Sequence, residues 1–163
     1  MRSVFLNVIP ASRLSEAMKG MASFAQSGAY NQEVFRYLLE RETKRSERSG
    51  YFCRILLVHR TNAQGAIMQM DSHIAKTVMA VLSRSLRETD YIGWYREGRI
   101  AGAVLTVLVQ ESITQVSTHL QPRLVKIIRA KLGAKVTSLL QIRVCQHHEL
   151  EGIEHGKGTF AVN

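Results

Sequence analysis

LRETDYIGWYREGRIAGAVLTVL, residues 86–108, is the stretch whose reading decides the fold. It opens on a helix end that carries Arg87 and Asp90. It continues as Tyr91-Ile92-Gly93-Trp94-Tyr95, turns through Arg96-Glu97-Gly98-Arg99 and returns as Ile100 to Leu108. Two β-prone runs about a polar turn, with a glycine near its end, predict a β-hairpin.

The flanks supply the rest of the pattern. Upstream, Asp71 or Ser72 caps a predicted helix that reaches Arg87, with Ile74, Val78, Val81, Leu82 and Leu86 at helical spacing. Arg60 to Met70 is a connection without periodicity, and Tyr51 to Val58 reads as a buried strand. Asn31 to Ser49 reads as a helix with Asn31 as its N-cap and Val34, Phe35, Leu38 and Leu39 as its apolar face. Arg41, Lys44, Arg45 and Arg48 lie toward its end, and Gly50 stops it. Downstream, Glu111 to Leu132 is helical by period, with Pro122 predicted to kink or divide it and Gly133 to end it. Val136 to Cys145 is a last strand, and from His147 the chain reads as a frayed tail.

Residues 1–30 form an extension. Val4 to Leu6 is a short strand or arm ended by Pro10, and Ser12 caps a helix bearing Leu14, Met18, Met21 and Phe24, stopped by Gly28. It either covers the core or serves as a dimerisation arm. The order is then β-α-β-β-α-β, which predicts an α+β fold: a ferredoxin-like antiparallel sheet with helices on one face and an N-terminal helical extension. The expected divisions are 1–30, 31–146 for the main domain, and 147–163 for the tail.

The chain has 163 residues and a net charge of +9. That balance favours acidic partners such as nucleotides, nucleic acid or anionic surfaces. Cys53 and Cys145 show no CxxC or metal-ligand spacing and read as two reduced thiols. No apolar run reaches membrane-spanning length and no signal-peptide cleavage pattern follows Ile9, so the expectation is a cytoplasmic protein. His147, His148 and His155 lack a ligand framework, and no metal or cofactor is expected. Trp94 and Tyr95 divide between core and surface more readily than they form a base-stacking platform.

LLERETKRSERSGYFCRILLVH, LSRSLRETDYIGWY and the hairpin together resemble the GGDEF domain of diguanylate cyclases, over about residues 33–146. The resemblance implies a nucleotide-cyclase palm with the core topology given above. It also implies two-metal phosphoryl chemistry, with an acid at the end of the first strand and a glycine pair and two more acids in the hairpin turn. This chain departs from that pattern. His59 stands at the strand end, the turn reads Arg96-Glu97-Gly98-Arg99-Ile100, and Glu97 is the one acid left in it, one position off. The guanine-recognising phrases after the first strand are missing too. The expectation is a domain without cyclase activity.

One family feature is present. Arg87-Glu88-Thr89-Asp90 has the RxxD form of the family's product-binding site, six positions before Arg96. The resemblance implies that Arg87 and Asp90 bind cyclic di-GMP, with Arg84, Arg96 and Arg99 as auxiliary cations. A guanidinium can donate to O6 and N7 of guanine, and a carboxylate can accept from its N1 and N2 donors. The plain alternative is that Arg87 complements a helix terminus and Asp90 caps locally.

The functional expectation is a catalytically inactive signalling domain, a cyclic di-GMP receptor through RxxD, acting as a homodimer or with a partner signalling protein. The alternative is a protein-interaction or dimerisation scaffold without a nucleotide ligand. Nucleic-acid binding on the sheet is disfavoured because Ile100 to Leu108 carries no aromatic residue.

Overall fold

The computed structural model describes residues 28–50, 53–106 and 113–154. The extension before Gly28, residues 51–52 of the expected first strand, the end of the Ile100–Leu108 run, the start of the Glu111 helix and the last residues of the tail lie outside the described residues.

Helix α1 (Gln32–Ser49) begins where Asn31 Oδ1 accepts the Val34 N–H at 3.0 Å and ends at Gly50, in the left-handed region at φ 71°. Asn31 and Gly50 therefore act as the two stops that the sequence indicates. Strand β1 (Arg54–Thr61) runs three residues beyond Val58. A two-residue strand, β2 (Ile67–Met68), pairs with its last two residues, so the connection after Arg60 is a hairpin. Asn62 organises that turn by accepting the Gln64 and Ala66 N–H groups. Helix α2 (Ser72–Ser85) is capped by Asp71, whose Oδ1 takes the Ile74 N–H at 2.8 Å.

Strands β3 (Tyr91–Arg96) and β4 (Ile100–Leu105) form the predicted hairpin, with a bulge at Tyr95 between the Trp94–Ala101 and Arg96–Ile100 pairs. Helix α3 (Ile113–Leu132) runs through Pro122 as one element, so of the expected kink or division there is no division. A short helix, α4 (Ala134–Thr137), follows Gly133, so strand β5 (Leu140–Cys145) starts four residues later than Val136.

The sheet order is β3-β4-β1-β5, all antiparallel, with β2 extending the β4 side beyond Ile100. This is the ferredoxin-like arrangement that the β-α-β-β-α-β order predicts. Its helices are not confined to one face. Leu56, Val58, Ala101 and Ala103 meet α2 and α3 through Val78, Leu82, Leu124 and Ile128. On the opposite face, Ile55, Leu57, Ile100 and Val104 meet Phe35 and Leu39 of α1 together with Leu150 and Ile153. Alternate residues of β1 and β4 thus enter two cores, which is why both strands read as continuous apolar runs. Each large side chain fully buried this way contributes roughly 1.5–3 kcal/mol.

Residues 147–154 are folded rather than frayed. A 3₁₀ turn (His147–Glu149) is fixed by a reciprocal capping box between Gln146 and Glu149, and helix α5 (Glu151–Glu154) follows. Leu150 and Ile153 are the buried anchors.

Close approach of α1 to the sheet requires two glycines. Gly93 and Gly102 are directly paired across β3 and β4. A Cβ on Gly102 would lie 2.8 Å from Phe35 Cζ, and one on Gly93 would lie 2.6 Å from the Tyr30 carbonyl oxygen. Tyr30 itself exchanges hydrogen bonds with Ile92 and Trp94, covering part of the outer edge of β3.

Candidate functional site

The β3–β4 turn is closed by the Arg99 N–H donating to the Arg96 carbonyl at 3.0 Å, with Gly98 at φ 69°. A side chain at 98 would also collide with Gln69, 2.5 Å from its Nε2, so the turn is packed against the segment after β2. The Met70 N–H donates to the Gly98 carbonyl at 2.8 Å. Glu97 faces the start of α1. Its Oε2 accepts the Gln32 N–H at 3.1 Å, and its own N–H donates to Gln32 Oε1 at 2.7 Å. The one acid of the turn therefore caps a helix N-terminus, where a carboxylate is electrostatically favoured. Arg36 continues the same contact, donating from Nε to the Tyr95 carbonyl at 2.9 Å and lying over the Tyr95 ring.

His59 does not end its strand. It sits within β1, paired with Ile100 on one side and Gln141 on the other, and is only 4% exposed. Burial lowers its imidazole pKa to about 4, and the nearby Arg143 guanidinium pushes in the same direction. At neutral pH this is an uncharged imidazole, with Nδ1 buried and without a hydrogen-bond partner in the structure. Among the described residues, no group of three or more His, Cys, Asp or Glu side chains converges as a metal site.

Arg87 and Asp90 form a tight corner between α2 and β3. The Asp90 N–H donates to the Arg87 carbonyl at 3.0 Å, and the Arg87 N–H donates back to Asp90 Oδ2 at 2.9 Å. Asp90 Oδ1 accepts from the Thr106 N–H at 2.9 Å and from its hydroxyl at 3.2 Å. The Asp90 carboxylate thus joins the end of α2 to the end of β4, and its donors are backbone groups and a threonine. The Arg87 side chain is exposed.

The other arginines divide into two groups. Arg84, exposed in the last turn of α2, lies near Arg87. Arg96 and Arg99 lie at the far end of β3, roughly 17 Å away at about 3.3 Å per strand residue, and Arg99 donates to the Ile67 carbonyl. They do not join the Arg87–Asp90 corner within this chain. Arg123, which the sequence reading did not single out, does lie near it. Its Nη2 donates to the Ser85 carbonyl at 2.6 Å, completing the C-terminus of α2. The signal for it was the run of cations without acids through α3.

Thiol chemistry is not prepared at either cysteine. Cys53 and Cys145 are both buried, and burial raises their pKa values to about 11 and about 12.

No protein-family model matches the chain, and no curated protein matches it either. Solved structures do. A DGC protein from Thermotoga maritima is 14% identical, with a TM-score of 0.54 over 82% of this chain and 96% of that one. The diguanylate cyclase SiaD from Pseudomonas aeruginosa, solved in complex with its activator SiaC, is 11% identical, with a TM-score of 0.50 over 90% of this chain and 64% of that one. The GGDEF domain of YfiN (TpbB) from Pseudomonas aeruginosa is 15% identical, with a TM-score of 0.47 over 76% of this chain and 74% of that one. The first two bear out the expected architecture: the chain has the fold of the GGDEF diguanylate cyclases.

Proposed function

We propose that this chain is a non-catalytic signalling module of GGDEF fold, working through contacts with a second copy of itself or with another signalling protein. The observation that carries the reading is the assignment of Glu97. The last acid of the turn caps α1, and the strand residue where the resemblance puts a metal-binding acid is the buried, neutral His59. Two-metal phosphoryl transfer needs carboxylates converging on the triphosphate; His59 has none, and the Glu97 carboxylate is engaged at the start of α1. SiaD, of the same fold, is held in a complex with a protein activator, which is a precedent for recognition by a partner. Incubation with GTP and Mg²⁺ or Mn²⁺, followed by chromatography, tests the reading. Unchanged GTP is expected, and cyclic di-GMP above the protein-free blank would overturn it.

A cyclic di-GMP receptor is the second reading, favoured by the exposed Arg84, Arg87 and Arg123 beside the Asp90 corner. Guanidinium groups suit both the guanine edge and the phosphates. On this reading Arg87 contacts the ligand while Asp90 holds the corner in shape. Calorimetry with cyclic di-GMP separates the two. Heat that disappears in Arg87→Ala establishes the receptor, and silence at tens of micromolar leaves the interaction module.

A further inference from the structure

Among the described residues, cations without neighbouring acids are gathered on one side of the sheet. From Ser72 to Arg87, and again from Ile113 to His148, the sequence contains no acid. These stretches hold α2, α3 and α4, and α2 and α3 pack side by side over one face. Lys76, Arg84, Arg123, Lys126, Arg129 and Lys135 are all exposed there. The opposite side is mixed, since α1 carries Glu33, Glu40, Glu42 and Glu47 among its cations.

Geometry spreads these charges over a plane. Arg123 reaches the Ser85 carbonyl, so the end of α2 lies beside the middle of α3. The remaining run of α3 to Lys131 extends roughly 12 Å at about 1.5 Å per residue. Two helices lie about 8–10 Å apart, which makes the surface two rows wide. Val125 is 39% exposed between Arg123 and Lys126. Among the described side chains, no Phe, Tyr, Trp, Asn or Gln is exposed on α2 or α3. Aromatic stacking platforms and the amides that pair with adenine are therefore absent from the described part of the face.

We propose that the α2–α3 face docks on an anionic lipid surface. A plane of headgroups engages both rows of cations together. Val125, set among the guanidinium and ammonium groups, can enter the boundary beneath the phosphates, and a nucleic-acid backbone offers it nothing. Clustered lysines and arginines near an anionic leaflet each strengthen binding by roughly fivefold at low salt, and the gain fades within a Debye length.

Co-sedimentation of the full chain with phosphatidylcholine vesicles, with and without phosphatidylglycerol, tests this. Partition onto the anionic vesicles alone, released by added salt, is expected. Lys126→Glu/Arg129→Glu should lower the partition coefficient at least about 25-fold, and the matching reversal on α1, Arg41→Glu/Arg45→Glu, should change it much less. Should the glutamate pair fail to fold by circular dichroism, Lys126→Gln/Arg129→Gln gives the same reading with a smaller loss. No partition onto anionic vesicles overturns the proposal, as does an equal loss from the α1 reversal. So does a Lys126- and Arg129-dependent gel shift of duplex DNA that persists at a salt concentration where the vesicles are released.

Discussion

Asp90 holds Thr106: one carboxylate oxygen accepts both the backbone N–H and the hydroxyl of Thr106, while the other accepts the Arg87 N–H. A side chain that looks like half of a ligand-binding motif is thus a joint between the end of a helix and the end of a strand. Asp90→Ala should destabilise the fold by about 1–2 kcal/mol, the range for losing a capping carboxylate. Arg87→Ala, which removes an exposed side chain, should change stability by less than about 0.5 kcal/mol. Urea unfolding of both variants checks this, and equal midpoints would refute the joint.

Phe35 sets the second expectation, because its ring occupies the space that a side chain at 102 would need. Gly102→Ala should cost roughly 1–3 kcal/mol through overpacking. Trimming the ring in Phe35→Leu should recover part of that cost, so the double variant is more stable than the sum of the singles predicts. Gly93→Ala meets the Tyr30 carbonyl oxygen at 2.6 Å before it meets Phe35 at 3.0 Å, so the same change should rescue it less. A double-mutant cycle by thermal unfolding reads the coupling.

His59 makes stability depend on pH. Its folded pKa is near 4, below the ordinary histidine value of 6.5, so between those values the unfolded chain binds the extra proton. The contribution is complete above about pH 6.5 and is lost as pH falls toward 4, to a total of up to about 3 kcal/mol. His59→Gln should flatten that part of the profile. Denaturation midpoints across this window, in both proteins, test it; parallel profiles would show that another group is responsible.

The hairpin, the caps at Asn31 and Asp71 and the stop at Gly50 were legible because each depends on local chemistry: turn residues, a side-chain oxygen before an apolar period, a glycine at positive φ. What could not be read was which surface each helix covers. The apolar period of α1 shows that Phe35 and Leu39 face inward, but only the second apolar face of β1 shows where inward is. The same applies to the site. RxxD is visible in sequence, but the partner of Asp90 lies 16 residues away in Thr106, a distance that only the returning strand closes. Glu97 and Gln32 are 65 residues apart, and no local signal joins them. From His147 onward the polar, glycine-bearing composition masks a packed segment, because only two anchors, Leu150 and Ile153, carry it.

Those anchors give the last expectation. Leu150 and Ile153 are 4% and 2% exposed, and they close the face of the sheet next to α1 with only one short turn on either side. A frayed tail would tolerate truncation of either residue. A packed one leaves a cavity against Ile55, Cys145 and their neighbours, because the sheet cannot collapse into it. Ile153→Ala should therefore cost about 2–4 kcal/mol, within the range for a buried isoleucine. The same change at exposed Glu151 should have little effect. Cys145 supplies an independent readout. Its thiol is buried, with a pKa raised to about 12, and should react with a thiol reagent at pH 8 only on unfolding. Faster labelling of Cys145 in Ile153→Ala than in the parent, with Cys53 replaced by Ala in both, would locate the opening beneath this turn. Unchanged labelling together with unchanged stability would mean that residues 147–154 contribute nothing to the core.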